Sequence, residues 1–130
     1  MVYVITGSRE FSNRELVRRC ILYHVTKNDV VFHGCARGVD TFAGEAAKEV
    51  GAEVRECPAD WEAWGISAGC IRNGSMLRKA IELAKDMPCD IQCLAFWDGK
   101  SRGTKDMLDR CASLHVVTVL YYPQGKGFDA

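Results

Sequence analysis

The segment VVFHGCARGVDTFAGEAAKEVG, Val30 to Gly51, holds a complete strand–loop–helix unit. Val30 to His33 is a short apolar run that ends in Gly34, as a strand covered on both faces would. Gly34 to Gly38 is a loop with glycine at each end. Beyond it, Val39, Phe42, Ala43, Ala46, Ala47 and Val50 fall on one stripe of a helix, and Gly51 supplies the stop.

The same alternation extends in both directions. Towards the N-terminus, Val2 to Ile5 is apolar throughout and runs into Thr6-Gly7-Ser8. Ser12 stands three residues before Glu15, which predicts a capping box. The helix behind it is expected over about 13–26, burying Leu16, Val17, Cys20, Ile21 and His24.

Towards the C-terminus, Glu53 to Cys57 reads as a shorter, more polar strand nearer an edge. Pro58 to Gly69 is a loop carrying Trp61 and Trp64, followed by a helix from about Cys70 to Lys85. Ile91 to Trp97 is a fourth strand. A glycine-containing loop, Asp98 to Gly103, leads into a short helix burying Met107, Leu108, Cys111 and Ala112. Val116 to Tyr122 is a fifth strand. Residues 1–122 are expected to form one ligand-binding domain, and the glycine-rich residues 123–130 a flexible tail.

Strands separated by amphipathic helices make right-handed βαβ units and a doubly wound, mainly parallel α/β sheet with helices on both faces. Its order follows from the glycines. The first, second and fourth strands each hand over to a helix through a glycine-bearing loop. Order 3-2-1-4-5 makes those three loops neighbours, whereas 2-1-3-4-5 inserts the third strand between them. The expected order is 3-2-1-4-5, with the site at the switch point between strands one and four.

Composition excludes several classes. Lysine plus arginine equals aspartate plus glutamate, so the formal net charge is zero. A duplex-DNA binder usually carries a basic excess, so nucleic acid is not the expected partner. No apolar run reaches the ~20 residues that span a membrane, and no basic leader precedes the first strand. The seven cysteines are scattered without a CxxC pair, which reads as reduced thiols in a cytoplasmic protein. Cys89 and Cys93 lack a recognised zinc spacing, so neither a metal nor a resident cofactor is expected.

The three loops carry the candidate chemistry. In the first, Gly7 permits a tight turn, Ser8 offers a hydroxyl and Arg9 a fork of donors for phosphate or carboxylate; the alternative is a plain βα turn with Arg9 in solvent. In the second, Gly34, Ala36, Arg37, Gly38 and Asp40 open into a helix whose unpaired N–H groups favour anions. Asp40 either caps that helix or accepts from a ribose hydroxyl. In the third, Gly99, Lys100, Ser101, Arg102, Gly103 and Thr104 form either a phosphate cradle or a solvated basic turn; the spacing is not that of a P-loop. Arg72 and Asn73 open the next helix beside the same sheet edge. Trp61 and Trp64 either stack on a base or pin their loop to the core.

Taken in order, GSREF, HGCARGVDTFA, PADW, AGCIRN with its following ML, and FWDGKSRGTKDM resemble the YspA-like (DUF2493) proteins. These belong to the SLOG superfamily, with the DprA and Lonely guy (LOG) proteins as relatives. The resemblance runs from Met1 to about Tyr121. It implies a Rossmann-like sheet, a pocket for ADP-ribose, NAD derivatives or nucleoside phosphates, and self-association into a homo-oligomer.

LOG enzymes cleave the N-glycosidic bond of a nucleoside monophosphate, using an arginine in an RKxxM-like stretch and a glutamate that closes a PGGxGTxxE loop. Arg72 and Met76 match the first stretch, and Gly103 and Thr104 the second. Met107 occupies the glutamate position, and Asp106, one residue early, is rotated about 100° around the helix. Three functions follow: a non-catalytic sensor or sequestering protein, an N-glycosidase using Asp106 or Glu10 with Arg72 on the phosphate, and a DprA-type accessory protein for single-stranded DNA. Carboxylate placement ranks the first ahead of the second.

Overall fold

In the computed structural model, residues 1–123 and 127–129 are described. The chain runs β1 (Val2–Gly7), α1 (Arg14–His24), β2 (Val30–His33), α2 (Val39–Glu49), β3 (Glu53–Glu56), α3 (Trp61–Trp64), a 3₁₀ turn (Gly65–Ser67), α4 (Ala68–Asp86), β4 (Ile91–Phe96), α5 (Arg102–Ser113), β5 (Val117–Tyr121) and β6 (Gly127–Asp129).

The sheet order is β3-β2-β1-β4-β5-β6. The first five strands are parallel, in the Rossmann-like order expected from the glycine loops. β1 is central, in register with β2 from Val2↔Val30 and with β4 from Val2↔Ile91 to Gly7↔Phe96.

Alternation along the buried strands explains the helices on both faces. Tyr3 and Ile5 of β1, with Leu94 and Phe96 of β4, pack against α1 and α2 through Val17, Ile21, Val39 and Ala43. Val2 and Val4, with Cys93 and Ala95, pack the other way against Met76, Leu77, Met107 and Cys111 of α4 and α5. Among the described residues, no helix is long and apolar enough to cross a membrane.

Four local expectations need correction. Asn13, not Ser12, caps α1: its Oδ1 accepts the Leu16 N–H at 3.1 Å, while the Ser12 carbonyl accepts from Arg14. The 58–69 loop contains one helical turn, because the Asp60 carboxylate accepts the Ala63 N–H and nucleates α3. α4 starts at Ala68, which is buried, rather than at Cys70. The tail expected from residue 123 includes β6, antiparallel to β5 from Val119↔Asp129 to Tyr121↔Gly127. It supplies partners to an otherwise open edge, and three residues are too few to show a period-two pattern. Residues 124–126 and 130 of that tail lie outside the described residues.

Candidate functional site

The C-terminal ends of β1, β2 and β4 lie side by side, and the loops that leave them meet over one cavity of about 760 Å³. In the first loop, Ser8 is buried and bound to β4's end: its N–H donates to Phe96 O at 3.0 Å, and its hydroxyl accepts the Asp98 N–H at 3.1 Å. Phe11 closes the turn by donating to Ser8 O, and its buried ring stands edge-on to Phe96. The tip between them projects Arg9 and Glu10. Glu10 Oε1 pairs with Arg37 Nη2 at 2.8 Å, both side chains about three-quarters exposed, and the Arg9 guanidinium lies over the Trp61 ring.

The second loop is organised by Asp40 from within. Asp40 does not cap α2; its Oδ2 accepts the N–H groups of Gly34 and Ala36 at 3.0 and 3.1 Å. Burial pushes its carboxyl up, opposed by the Ala36 N–H and by His33. His33 Nδ1 accepts the Cys35 N–H at 3.0 Å, so the neutral ring carries its proton on Nε2. Burial holds its pKa below the usual value. Cys35 adopts φ +61, and burial and Glu56 push its thiol up to about 11. That shift favours the thiol over the thiolate at neutral pH.

In the third loop, Asp98 Oδ1 accepts the N–H groups of Lys100 and Ser101 at 2.8 and 2.9 Å. Burial pushes Asp98 up, but these donors and the Ser8 hydroxyl outweigh it and hold the carboxyl below its ordinary range. Ser101 caps α5, so Arg102, Gly103 and Thr104 belong to its first turn rather than to the loop.

Arg72 fastens these parts together. Its Nη1 donates to the carbonyls of Gly34 and Cys57, and its Nε to Asn73 Oδ1. Asn73 is buried, and its amide donates to Gly103 O at 3.1 Å and to Asp106 Oδ2 at 3.0 Å. Asp106 also binds Arg110 at 2.9 Å.

Most of the residues singled out from sequence line this one cavity: Gly7, Ser8, Arg9 and Glu10 from the first loop, Gly34, Ala36, Arg37 and Asp40 from the second, Lys100 to Thr104 from the third, and Arg72 with Asn73. Trp61 lines it too, whereas Trp64, Gly38, Gly99 and Asp106 do not. Gly38, at φ +79, backs the Arg9 carbonyl; Gly99, at φ +83, turns the third loop; Asp106 is engaged by Asn73 and Arg110. Met76, which entered with Arg72 through the RKxxM-like match, also lines it, and sequence reasoning did not single out Ile5, Thr6, Ile66, Gly69, Cys70 and Asp98 as lining residues. Only Asp98 carried a signal: Asp followed by Gly is an Asx-turn signature that folds the carboxylate back on its own loop.

The lining sets five cations, Arg9, Arg37, Arg72, Lys100 and Arg102, against three carboxyls, Glu10, Asp40 and Asp98. Among the described residues, no cluster of three or more His, Cys, Asp or Glu side chains is arranged to hold a metal ion.

The fold and the site together define a Rossmann-like α/β protein with a cation-rich cavity at the switch point of its sheet. The chain belongs to the YspA, cpYpsA-related SLOG family. The family's model matches residues 1–64, from β1 through α3. The chain is also similar to the Gene 61 protein of Mycobacterium phage D29, at 34% identity over 110 residues that cover 78% of this chain and 81% of that protein.

Proposed function

We propose that this protein binds a nucleotide-derived, phosphate-bearing small molecule, of the ADP-ribose, NAD-derivative or nucleoside-phosphate class, as a sensor or sequestering protein. The observation that carries this reading is the balance of charge: five cations against three carboxyls line one cavity, a net positive excess in a chain whose formal net charge is zero. A volume of about 760 Å³ suits a ligand of this size. The Gly34 and Ala36 N–H groups are already taken by Asp40. Those two groups are closed to a phosphate, and the side chains of Arg9, Arg37, Lys100 and Arg102 are the donors proposed to recognise it.

Hydrolysis of an N-glycosidic bond is the second reading, favoured by the carboxylates of Glu10 and Asp98 on the cavity wall. Weighing against it, Asp106 is held by Asn73 and Arg110, and Glu10 is paired with Arg37. Calorimetry with nucleoside monophosphates and ADP-ribose, run beside chromatography for released base, separates the two. Binding without base release supports the sensor. Base release that is lost in Glu10→Gln or Asp98→Asn supports the enzyme. Asp106→Asn is expected to leave affinity within about twofold, because its carboxylate lies outside the lining.

Self-association belongs to the same proposal. Trp64, Ile66 and Ile71 expose apolar surface between α3 and the first turn of α4, and Ile66 also lines the cavity.

A further inference from the structure

The larger cavity adjoins a second one of about 470 Å³, and the two share Arg9, Gly34, Ala36, Arg37, Trp61 and Arg72. Part of their common wall is a cation–π stack, with the Arg9 guanidinium carbon 5.4 Å from the Trp61 ring centroid. Beyond the shared residues, the smaller cavity adds only Cys35, Pro58 and Ala59, none of which is charged at neutral pH.

Trp61 does not pin its segment to the core. α3 buries none of its residues, and Trp61 remains 49% exposed. A half-exposed indole that lines two cavities, with its far edge near Gly69 and one face under the flexible Arg9 side chain, is a surface prepared for another planar group.

We propose that the ligand is bipartite and that Trp61 reads its planar half. The phosphate draws the Arg9 guanidinium off the indole, and a heteroaromatic base stacks on the face so vacated, within the smaller cavity. This deepens the reading proposed above and rests on it. The exchange is chemically matched: Arg9 gives up a cation–π contact for a charge-assisted pair with phosphate, and Trp61 gives up the cation for a π-stack. A phosphate without a base leaves the indole uncovered. A base without a phosphate finds Arg9 still in its place. The two halves therefore bind cooperatively.

The test is calorimetric titration of the full chain with adenosine 5′-monophosphate, adenosine and ribose 5-phosphate, in wild type, Trp61→Leu and Trp64→Leu. Trp64 lines neither cavity and controls for loss of an exposed indole. The monophosphate is expected to bind about tenfold tighter than ribose 5-phosphate, and Trp61→Leu to raise its Kd about tenfold while leaving ribose 5-phosphate within about twofold. Trp64→Leu should change neither. Trp61→Phe, which keeps a π-face, should restore most of the loss, and circular dichroism checks that each variant is folded.

Equal binding of ribose 5-phosphate and the monophosphate, or undiminished monophosphate affinity in Trp61→Leu, overturns the stacking proposal and leaves the phosphate reading standing. Adenosine binding as tightly as its monophosphate, or no binding by any of the three or by ADP-ribose titrated beside them, removes the phosphate reading, and the stack with it.

Discussion

A Cβ at Gly7 would stand 2.4 Å from the Cβ of Val39, and one at Gly34 only 1.9 Å from Arg72 Nη1. At these two positions the glycines serve close approach rather than a special φ. Gly7→Ala is expected to lower stability by about 1–3 kcal/mol in urea denaturation, because the clash falls between the end of β1 and the start of α2. His33 makes a second prediction. Burial holds its pKa below 6.5, so an unfolded chain takes up a proton below that pH which the folded chain refuses. Its contribution is complete above pH 6.5 and is lost progressively on acidification. Asp40, whose carboxyl burial raises, contributes with the opposite slope from 3.8 up to its folded value. The loss of stability between about pH 7.5 and about pH 5.5 should therefore be larger in wild type than in His33→Gln. The positions of these residues were legible in the sequence, since glycine, arginine and histidine at strand ends are visible there. Their tasks were not. Asp40 reads as a helix cap because it stands near a helix start, and only the folded loop aims its carboxylate at Gly34 and Ala36.

The elements were legible wherever a buried stripe or an apolar run set the period, as in α2 and in β1, β2 and β4. Their ends were less so, because adjacent residues compete for the capping role. Ser12 with Glu15 and Asn13 with Leu16 are both acceptable N-termini by sequence, and the fold selects Asn13, whose amide also donates to Pro123 O at 3.1 Å. Asn13→Ala is expected to cost about 1 kcal/mol and Ser12→Ala well under half of that, read from thermal or urea unfolding. α3 and β6 were missed for a common reason. A single turn capped by Asp60 and a three-residue edge strand are both too short for periodicity to register.

Across the whole molecule, the sheet order was legible because three glycine loops must converge, and that convergence also gathered most of the candidate site. The contacts that hold the site were beyond sequence reasoning. Asn73 with Asp106, and Arg72 with Gly34, join residues more than 30 positions apart, and no local pattern encodes such pairs. The exposed Trp64, Ile66 and Ile71 surface predicts self-association, checked by sedimentation: Ile66→Glu should shift the protein towards monomer. The central claim is that clustered cations in a neutral chain select a phosphate-bearing ligand. The direct measurement compares ADP-ribose and adenosine 5′-monophosphate binding by calorimetry in wild type and in a variant carrying Arg37→Gln, Lys100→Gln and Arg102→Gln, all at exposed positions. The account predicts a rise in Kd of about tenfold or more in the variant, with a steeper salt dependence in wild type. Binding that is unchanged by the loss of three cations would contradict it.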